Sequence, residues 1–243
     1  MIYWTFSSFT NSPPLKIAQT LERFFSILEI EEFEKFKIPK RQLEWLASRM
    51  LVKRLVHQLA ISDSPLSLRS VTVQKEITGV PYVVMEGMGR VGWLSLSHSH
   101  EGVLTAFSQE GEARFGVDLE FIEPRSLQLF LDYFTATEIA WLSTLNEKEK
   151  DLCSNIVWSS KEAFLKAIER GLSLDTRKIN IHPCDVSYLS KGWTEINFEV
   201  DGMVTGEWQL LASSHQGYVM TICLQRAREL KRVVLQDLFS FDE

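Results

Sequence analysis

An internal repeat constrains the fold of this chain more than any single motif does. Five residues around Trp93 recur in the same order 115 positions later. The first copies are Trp93, Leu96, Ser99, His100 and Gly102, and the second copies are Trp208, Leu211, Ser214, His215 and Gly217. Recurrence at a fixed distance is typical of a duplicated unit. We therefore expect two similar halves, and a length of 243 residues leaves room for both.

The predicted helices and strands follow a similar order in the two halves. Apolar residues at helical spacing predict long helices over 39–60 and 148–170, and alternating residues between glycine turns predict short strands. We expect strands at about 2–9, 71–74, 82–85, 93–97, 103–108, 114–120, 195–200, 207–213 and 218–224, shorter helices at 14–28 and 135–145, and a terminal helix over 226–238. The predicted fold class is α+β. Its two α/β halves, 1–112 and 113–243, would be related by pseudo-twofold symmetry, each with a small antiparallel sheet and a long helix.

The two long helices extend the repeat. Trp45 and Lys53 stand 113 positions before Trp158 and Lys166. If the halves are duplicated, we expect a ligand site in the cleft between them, which is a usual place for a pocket.

Charge and composition argue against several classes of protein. The net charge of −6 is unlike that of a general nucleic-acid binder, which needs a basic surface. No apolar run approaches about 18 residues and the N-terminus lacks the pattern of a signal peptide, so we expect neither a membrane span nor secretion. Three cysteines without paired spacing indicate neither a disulfide framework nor a zinc site. We therefore expect a cytoplasmic protein.

A basic segment contrasts with this acidic balance. Between Lys35 and Arg54, seven lysine and arginine side chains stand against the single acid Glu44. A charge run of this kind is most often a solvated helix face. The alternative is a surface that attracts an anionic ligand or an acidic partner.

Two acids in one strand are the first candidate site. Asp118 and Glu120 stand two apart in the predicted strand 114–120, so both side chains point to the same face. Like charges side by side are either solvated on an open surface or held together by a cation. Mg²⁺ suits oxygen ligands of this kind and takes phosphate oxygens as further ligands.

The predicted helix 148–170 offers a complement to these acids. Trp158, Glu162 and Lys166 follow at four-residue spacing and line up on one face. They could be only a core tryptophan and a surface ion pair of about 0.3 to 0.5 kcal/mol. Together with the acidic strand, however, Glu162 supplies a third carboxylate, and Lys161 and Lys166 supply cations for a phosphate ester.

A segment rich in serine and histidine stands at a predicted strand end. Residues 95–100 offer hydroxyls, imidazoles and the backbone donors of a turn, a combination that suits phosphate oxygens. A serine hydrolase is a weak alternative, because the chain has no Gly-x-Ser-x-Gly elbow and nothing marks an aspartate partner. A structural role for His98 also stays open.

Several segments together form a family pattern. They are residues 116–120 (GVDLE), 158–163 (WSSKEA) with Lys166, 171–172 (GL), 133–138 (YFTATE), 96–99 (LSHS) and the basic helix 41–49. This pattern strongly resembles that of the 4'-phosphopantetheinyl transferases of the Sfp type. The resemblance spans roughly residues 40 to 175, and the duplicated architecture of that family extends it to most of the chain.

The resemblance implies a reaction and a set of site residues. The 4'-phosphopantetheine arm of coenzyme A would move to a serine of an apo acyl, aryl or peptidyl carrier protein, with release of 3',5'-ADP. The implied metal is Mg²⁺, or Mn²⁺ in its place, on Asp118, Glu120 and Glu162. The implied contacts to coenzyme A are Arg41, Arg49, Ser97, His98, Lys161 and Lys166, with the 3'-phosphate on Arg49 and His98. The implied catalytic residues are Glu162, Lys166 and Glu138, and either glutamate could take the serine proton.

Partners and alternatives follow from the same resemblance. Carrier proteins of this class are acidic, so the basic segment 35–54, or the arginines and lysine of 226–232, could attract one. Two fused halves make a monomer the expected state. One alternative is a Mg²⁺-dependent hydrolase or nucleotidyl transferase that uses the same acids on another phosphate ester. Another is a catalytically silent module that binds coenzyme A or a carrier protein.

Overall fold

The chain folds as two compact units. The computed structural model describes residues 1–9, 15–60, 67–110, 114–226, 228–235 and 238–239. One unit comprises Met1–Ala113 with Glu229–Glu243, and the other comprises Arg114–Arg228. The predicted division after residue 112 left the C-terminal segment with the second half, whereas the structure counts it with the first unit. No helix in the described ranges is long and apolar enough to cross a membrane.

The described residues form six α-helices and twelve strands. The helices are α1 (Leu15–Phe24), α2 (Ile27–Glu34), α3 (Pro39–Ala60), α4 (Leu127–Tyr133), α5 (Ala136–Leu142) and α6 (Glu147–Ala167). The strands are β1 (Ile2–Ser8), β2 (Val71–Lys75), β3 (Pro81–Met85), β4 (Gly89–Ser99), β5 (Gly102–Ser108), β6 (Phe115–Phe121), β7 (Ile179–Ile181), β8 (Thr194–Glu195), β9 (Phe198–Val200), β10 (Trp208–His215), β11 (Tyr218–Gln225) and β12 (Leu230–Arg232). The mixed α/β composition with antiparallel sheets agrees with the predicted class.

The first unit is a six-stranded sheet packed against the long helix α3. Its strand order is β12-β1-β5-β4-β3-β2, and neighbours are antiparallel except for β1 and β12. Leu46, Met50 and Leu55, which the sequence placed at helical spacing, are completely buried. The helix runs from Pro39 to Ala60, as predicted. Proline suits the first turn of a helix because the backbone N–H that it lacks would have no partner there.

The predicted helix 14–28 is interrupted near its end. The side chain of Ser26 accepts a hydrogen bond from the backbone N–H of Glu29, while the Glu29 carboxylate accepts one from the backbone N–H of Ser26. This reciprocal capping box starts α2, and the extended backbone of Ser26 separates it from α1.

The predicted terminal helix over 226–238 is wrong. Leu230–Arg232 instead forms β12, which runs parallel to β1 with Ile2 opposite Leu230. The backbone N–H of Ile2 also donates to the carbonyl of Glu229 over 2.8 Å. An unpaired strand edge offers such donors and acceptors to any segment that returns to it. Because this pairing joins opposite ends of the chain, local periodicity could not reveal it.

The second unit packs α6 across an antiparallel sheet. The sheet order is β6-β11-β10-β8, and β7 with β9 forms a separate pair. Ile156, Val157 and Phe164 of α6 are completely buried in the core of this unit. The sequence did not predict α4 or β7, because elements of seven and three residues carry too little periodicity. It did predict α6, β10 and β11 to within a few residues.

Candidate functional site

The acidic strand β6 and the helix α6 approach each other closely at Gly116. A Cβ atom at this position would lie 2.1 Å from the carbonyl oxygen of Ala163 and 2.5 Å from the backbone nitrogen of Ala167. Only glycine therefore allows the observed distance between strand and helix. Because side chains alternate along a strand, Asp118 and Glu120 lie on the same face as Gly116, next to α6.

Asp118 of β6 pairs with Lys166 of α6. Lys166 Nζ donates to Asp118 Oδ1 over 2.7 Å and to the carbonyl of Val117 over 3.1 Å. Asp118 is 4% exposed, whereas the Lys166 side chain is 30% exposed. Lys166 thus contacts a buried carboxylate while part of its own side chain stays accessible to solvent and ligands.

Glu120 pairs with an arginine that the sequence did not single out. Arg125 Nη2 donates to Glu120 Oε2 over 2.6 Å, and Arg125 Nε donates to Asn155 Oδ1 of α6 over 2.8 Å. Nothing in the spacing marks Arg125, since it follows Pro124 in an irregular segment between β6 and α4. Its position depends on contacts with the helix.

The third acid, Glu162, shares the electrostatic environment of the other two. Burial raises the pKa of Glu162, the charge of Asp118 raises it further, and Lys166 opposes both effects. Burial and Asp118 likewise raise the pKa of Glu120, against the influence of Arg125. The structure therefore brings Asp118, Glu120, Glu162 and Lys166 together.

The donor chemistry of this cluster fits a divalent cation. Its carboxylate oxygens are ligands that suit Mg²⁺ or Mn²⁺. A bound cation would also relieve the repulsion between the carboxylate charges. As they stand, the described side chains include no group of three or more His, Cys, Asp or Glu residues placed to hold a metal ion. To hold one ion, the three carboxylates would have to turn towards a common centre.

Lys161 and Glu138 lie elsewhere, in a completely buried ion pair. Lys161 Nζ is 2.7 Å from Glu138 Oε2 and donates to the carbonyls of Tyr133 and Thr176 over 2.9 and 3.0 Å. Neighbouring residues of a helix point about 100° apart, so Lys161 cannot share the face of Glu162. These contacts correct two predictions, because a lysine and a glutamate with no exposed surface cannot bind coenzyme A or take a serine proton in this arrangement.

Glu138 has a second structural task at the start of α5. Its carboxylate accepts the backbone N–H of Thr135 over 2.7 Å, and the Thr135 hydroxyl accepts the backbone N–H of Glu138 over 3.1 Å. This is a capping box, and the Thr-x-x-Glu spacing in the sequence could have identified it. Helix capping thus explains Thr135 and Glu138 of the segment 133–138.

The first unit repeats this arrangement. Lys53 of α3 is completely buried and lies 2.9 Å from Oε2 of Glu29, which closes the capping box of α2. The shared environment aligns Lys53 with Lys161 rather than with Lys166, the partner that the sequence repeat predicted. The predicted repeat does fall on matching hairpins, β4 with β5 and β10 with β11.

Two predicted phosphate ligands of the first unit meet around a carboxylate. Arg41 Nη1 lies 3.6 Å and His98 Nδ1 lies 3.9 Å from Oε2 of the buried Glu44. Glu44, the single acid of the basic segment, therefore lies close to both Arg41 and His98, two of the residues expected to contact coenzyme A.

Arg49 and Ser97 are the other predicted phosphate ligands of the first unit. Arg49 is buried against Trp45, with its guanidinium carbon 5.2 Å from the centre of the ring, and lines a pocket of about 370 Å³ beside Glu32. Ser97 and His98 are consecutive in β4, where Ser97 is opposite Leu104 and His98 is opposite Val103, so their side chains point to opposite faces. A shared phosphate contact of Arg49, Ser97 and His98 stays a prediction.

Comparison with known proteins agrees with the motif pattern. Residues 114–223 match the sequence model of the 4'-phosphopantetheinyl transferase superfamily. The chain is 32% identical over 90 residues to 4'-phosphopantetheinyl transferase Sfp of Bacillus subtilis strain 168, covering 36% of this chain and 39% of that protein. It is 25% identical over 158 residues to 4'-phosphopantetheinyl transferase psf-1 of Bacillus pumilus, covering 65% and 64%.

A longer but more distant similarity extends along almost the whole chain. The chain is 22% identical over 238 residues to the L-aminoadipate-semialdehyde dehydrogenase-phosphopantetheinyl transferase of Rattus norvegicus. This alignment covers 93% of the chain and 75% of the rat protein. The alignments to the two Bacillus proteins span less than two thirds of their lengths.

Proposed function

Because residues 114–223 carry a domain of the 4'-phosphopantetheinyl transferase superfamily, we propose that this chain modifies a carrier protein. It transfers the 4'-phosphopantetheine group of coenzyme A to a serine of an apo acyl, aryl or peptidyl carrier protein and releases 3',5'-ADP. The observation that supports this most directly is the convergence of Asp118, Glu120, Glu162 and Lys166 within the matched segment.

The proposed reaction breaks the phosphoanhydride bond of coenzyme A and forms a phosphoester bond to the serine. The serine Oγ forms a bond to the phosphorus that carries pantetheine, the bond from that phosphorus to the bridging oxygen breaks, and 3',5'-ADP leaves with that electron pair. Asp118, Glu120 and Glu162 would hold Mg²⁺, or Mn²⁺ in its place. The ion would supply charge neutralisation on the pyrophosphate oxygens.

Glu162 is the proposed acceptor of the serine proton. Its carboxylate lies in the cluster with Asp118 and Lys166, where the pyrophosphate and the attacking serine would meet. Glu138 is withdrawn from this role because it is buried against Lys161. Lys166 has the exposure and the position to donate to a phosphate oxygen while it retains its contact with Asp118.

Arg41 and His98 are the proposed contacts of the first unit to coenzyme A phosphates. They lie near each other, and a phosphate between them would have to offset the charge of Glu44. Arg49 and Ser97 stay separate candidates for other parts of the same ligand. Monomeric state, cytoplasmic location and a pseudo-twofold relation of the units stay predictions.

The decisive experiment is incubation of the protein with coenzyme A, Mg²⁺ and a panel of apo carrier proteins, followed by intact mass measurement. We expect one phosphopantetheine group on at least one carrier, and none on the same carrier with its serine replaced by alanine. Release of 3',5'-ADP without a modified carrier would instead indicate a hydrolase. Binding of coenzyme A without turnover in the whole panel would indicate a silent module.

A further inference from the structure

The irregular segment after β6 places an arginine against a proposed metal ligand. Arg125 Nη2 donates to Glu120 Oε2 over 2.6 Å, and the two side chains are only 14% and 17% exposed. The Trp158 side chain also hydrogen-bonds this carboxylate. A carboxylate has about four lone-pair sites on its two oxygens, so it can accept both bonds and still bind a cation. Charge-assisted hydrogen bonds of this length are among the stronger ones in proteins.

Asn155 fixes this arginine from the side of α6. Its Oδ1 accepts from Arg125 Nε over 2.8 Å, while its Nδ2 donates to the carbonyls of Glu123 and Asp151 over 2.8 and 2.7 Å. The asparagine is completely buried, so these bonds replace contacts with water. With the amide held at both ends, the planar guanidinium can adopt few orientations.

We infer that Asn155 and Arg125 form a positioning chain that orients Glu120 toward a divalent cation. This inference rests on the proposed metal site and adds two residues to it. Carboxylates that bind metals are usually held by hydrogen bonds from residues behind them, and loss of such a residue commonly weakens metal binding about 10- to 100-fold. Arg125 thus acts through Glu120 and touches neither substrate.

A competing role for Arg125 predicts the opposite change in metal affinity when the arginine is removed. If Arg125 only competes with the cation for Glu120, its removal strengthens metal binding. If it positions Glu120, its removal weakens metal binding. The direction of change in affinity separates the two roles without any measurement of transfer.

The test is titration of the full-length protein with Mn²⁺, with free Mn²⁺ measured by electron paramagnetic resonance. We expect Arg125→Met to weaken Mn²⁺ binding about 10- to 100-fold and Asn155→Leu to weaken it less. The Mn²⁺ affinity of Arg125→Lys should lie between those of Arg125→Met and the unmodified protein. An ammonium keeps the positive charge but lacks the planar set of N–H donors with which the guanidinium binds Glu120 and Asn155 together. Unchanged or tighter binding by Arg125→Met overturns the inference.

A matched control lies in the same unit. Arg177 donates to Asp175 through Nη2 and Nε over 2.8 and 3.0 Å, but this pair is exposed and lies outside the acidic cluster. Arg177→Met should leave Mn²⁺ affinity unchanged. Thermal unfolding of each variant identifies loss of fold, and if Arg125→Met does not fold, Arg125→Lys decides by the same criterion.

Failure of the inference and failure of the proposed function give different results. If Mn²⁺ binds, Arg125→Met weakens it and no carrier is modified, the positioning role stands while the transferase assignment fails. If carriers are modified but Arg125→Met binds Mn²⁺ normally, only the positioning role fails. Absence of Mn²⁺ binding by the unmodified protein overturns the inference together with the metal site.

Discussion

The Nζ atom of Lys161 lies 2.7 Å from Oε2 of Glu138, and neither side chain is exposed to solvent. Burial lowers the pKa of Lys161, whereas the charge of Glu138 and its hydrogen bond raise it. A buried charge is tolerated when it is paired and its remaining donors are satisfied, as the carbonyls of Tyr133 and Thr176 satisfy these. The lysine therefore connects α6 to the start of α5 instead of facing a ligand.

Lys161→Met should destabilise the protein through the charge that it leaves behind. We expect a loss of about 3 to 5 kcal/mol in the free energy of unfolding, because Glu138 would stay buried without its cation. Urea unfolding followed by tryptophan fluorescence measures this. The double variant Lys161→Met with Glu138→Leu should recover part of the loss, since neither charge remains. A Lys161→Met protein of normal stability that no longer transfers phosphopantetheine would restore the predicted role of Lys161 as a contact to coenzyme A.

Local pattern was sufficient to predict most of the regular structure. The bounds of α3 were predicted without error, and those of α6 to within a few residues, because long amphipathic helices carry their period in the sequence. Asp118 with Glu120, and Glu162 with Lys166, were predicted for a similar reason, since spacing along one element fixes which side chains share a face.

Contacts between elements were much harder to predict. Lys161 looks like a surface cation in the sequence, and only the packing of α5 and residues 176–178 against α6 shows that it is buried. Arg125 and Asn155 meet only because β6 passes beside α6 at Gly116. Ser97 and His98 point to opposite faces of β4, so their neighbours in sequence do not tell which other elements each side chain meets.

Gly116→Ala should disturb the junction between β6 and α6. The added Cβ would meet backbone atoms of Ala163 and Ala167, which cannot move aside as flexible side chains do. We expect a loss of about 1 to 3 kcal/mol in unfolding free energy, together with reduced transfer, because Asp118 and Lys166 would shift apart. Gly206→Ala is the control, since a Cβ there meets nothing within 4 Å. Equal stability of the two variants would contradict the close-approach argument.

Asp118→Ala should abolish Mg²⁺-dependent transfer and leave the fold intact. We expect a decrease of at least about a thousandfold, because the change removes a proposed metal ligand and with it several kcal/mol of charge stabilisation in the transition state. Intact mass of the carrier after timed incubation measures the rate, and circular dichroism checks the fold. Ser160→Ala on α6 provides a control outside the acidic cluster. A folded Asp118→Ala protein with normal activity would remove Asp118 from the metal site.

Reversal of charge at Lys37 and Lys40 should weaken the encounter with an acidic carrier protein. Both residues are exposed on the basic segment, where Lys37 Nζ donates to the carbonyl of Glu34 and Lys40 Nζ lies 3.9 Å from Glu44. Attraction between opposite charges mainly speeds association, so Lys37→Glu with Lys40→Glu should raise the KM for the carrier severalfold and leave kcat nearly unchanged. The effect should shrink as salt is added, because surface charges are screened.

The comparison for this charge reversal is Lys231→Glu with Arg232→Glu on β12. Both residues are exposed in the same unit, and they belong to the other basic segment that the sequence suggested as a docking surface. We expect little change in KM from this pair, because the denser charge of 35–54 should dominate attraction of the carrier. A higher carrier KM from the β12 pair alone would move the docking surface to the C-terminal strand. A parallel rise in the KM for coenzyme A would show instead that the lysines act on the smaller substrate.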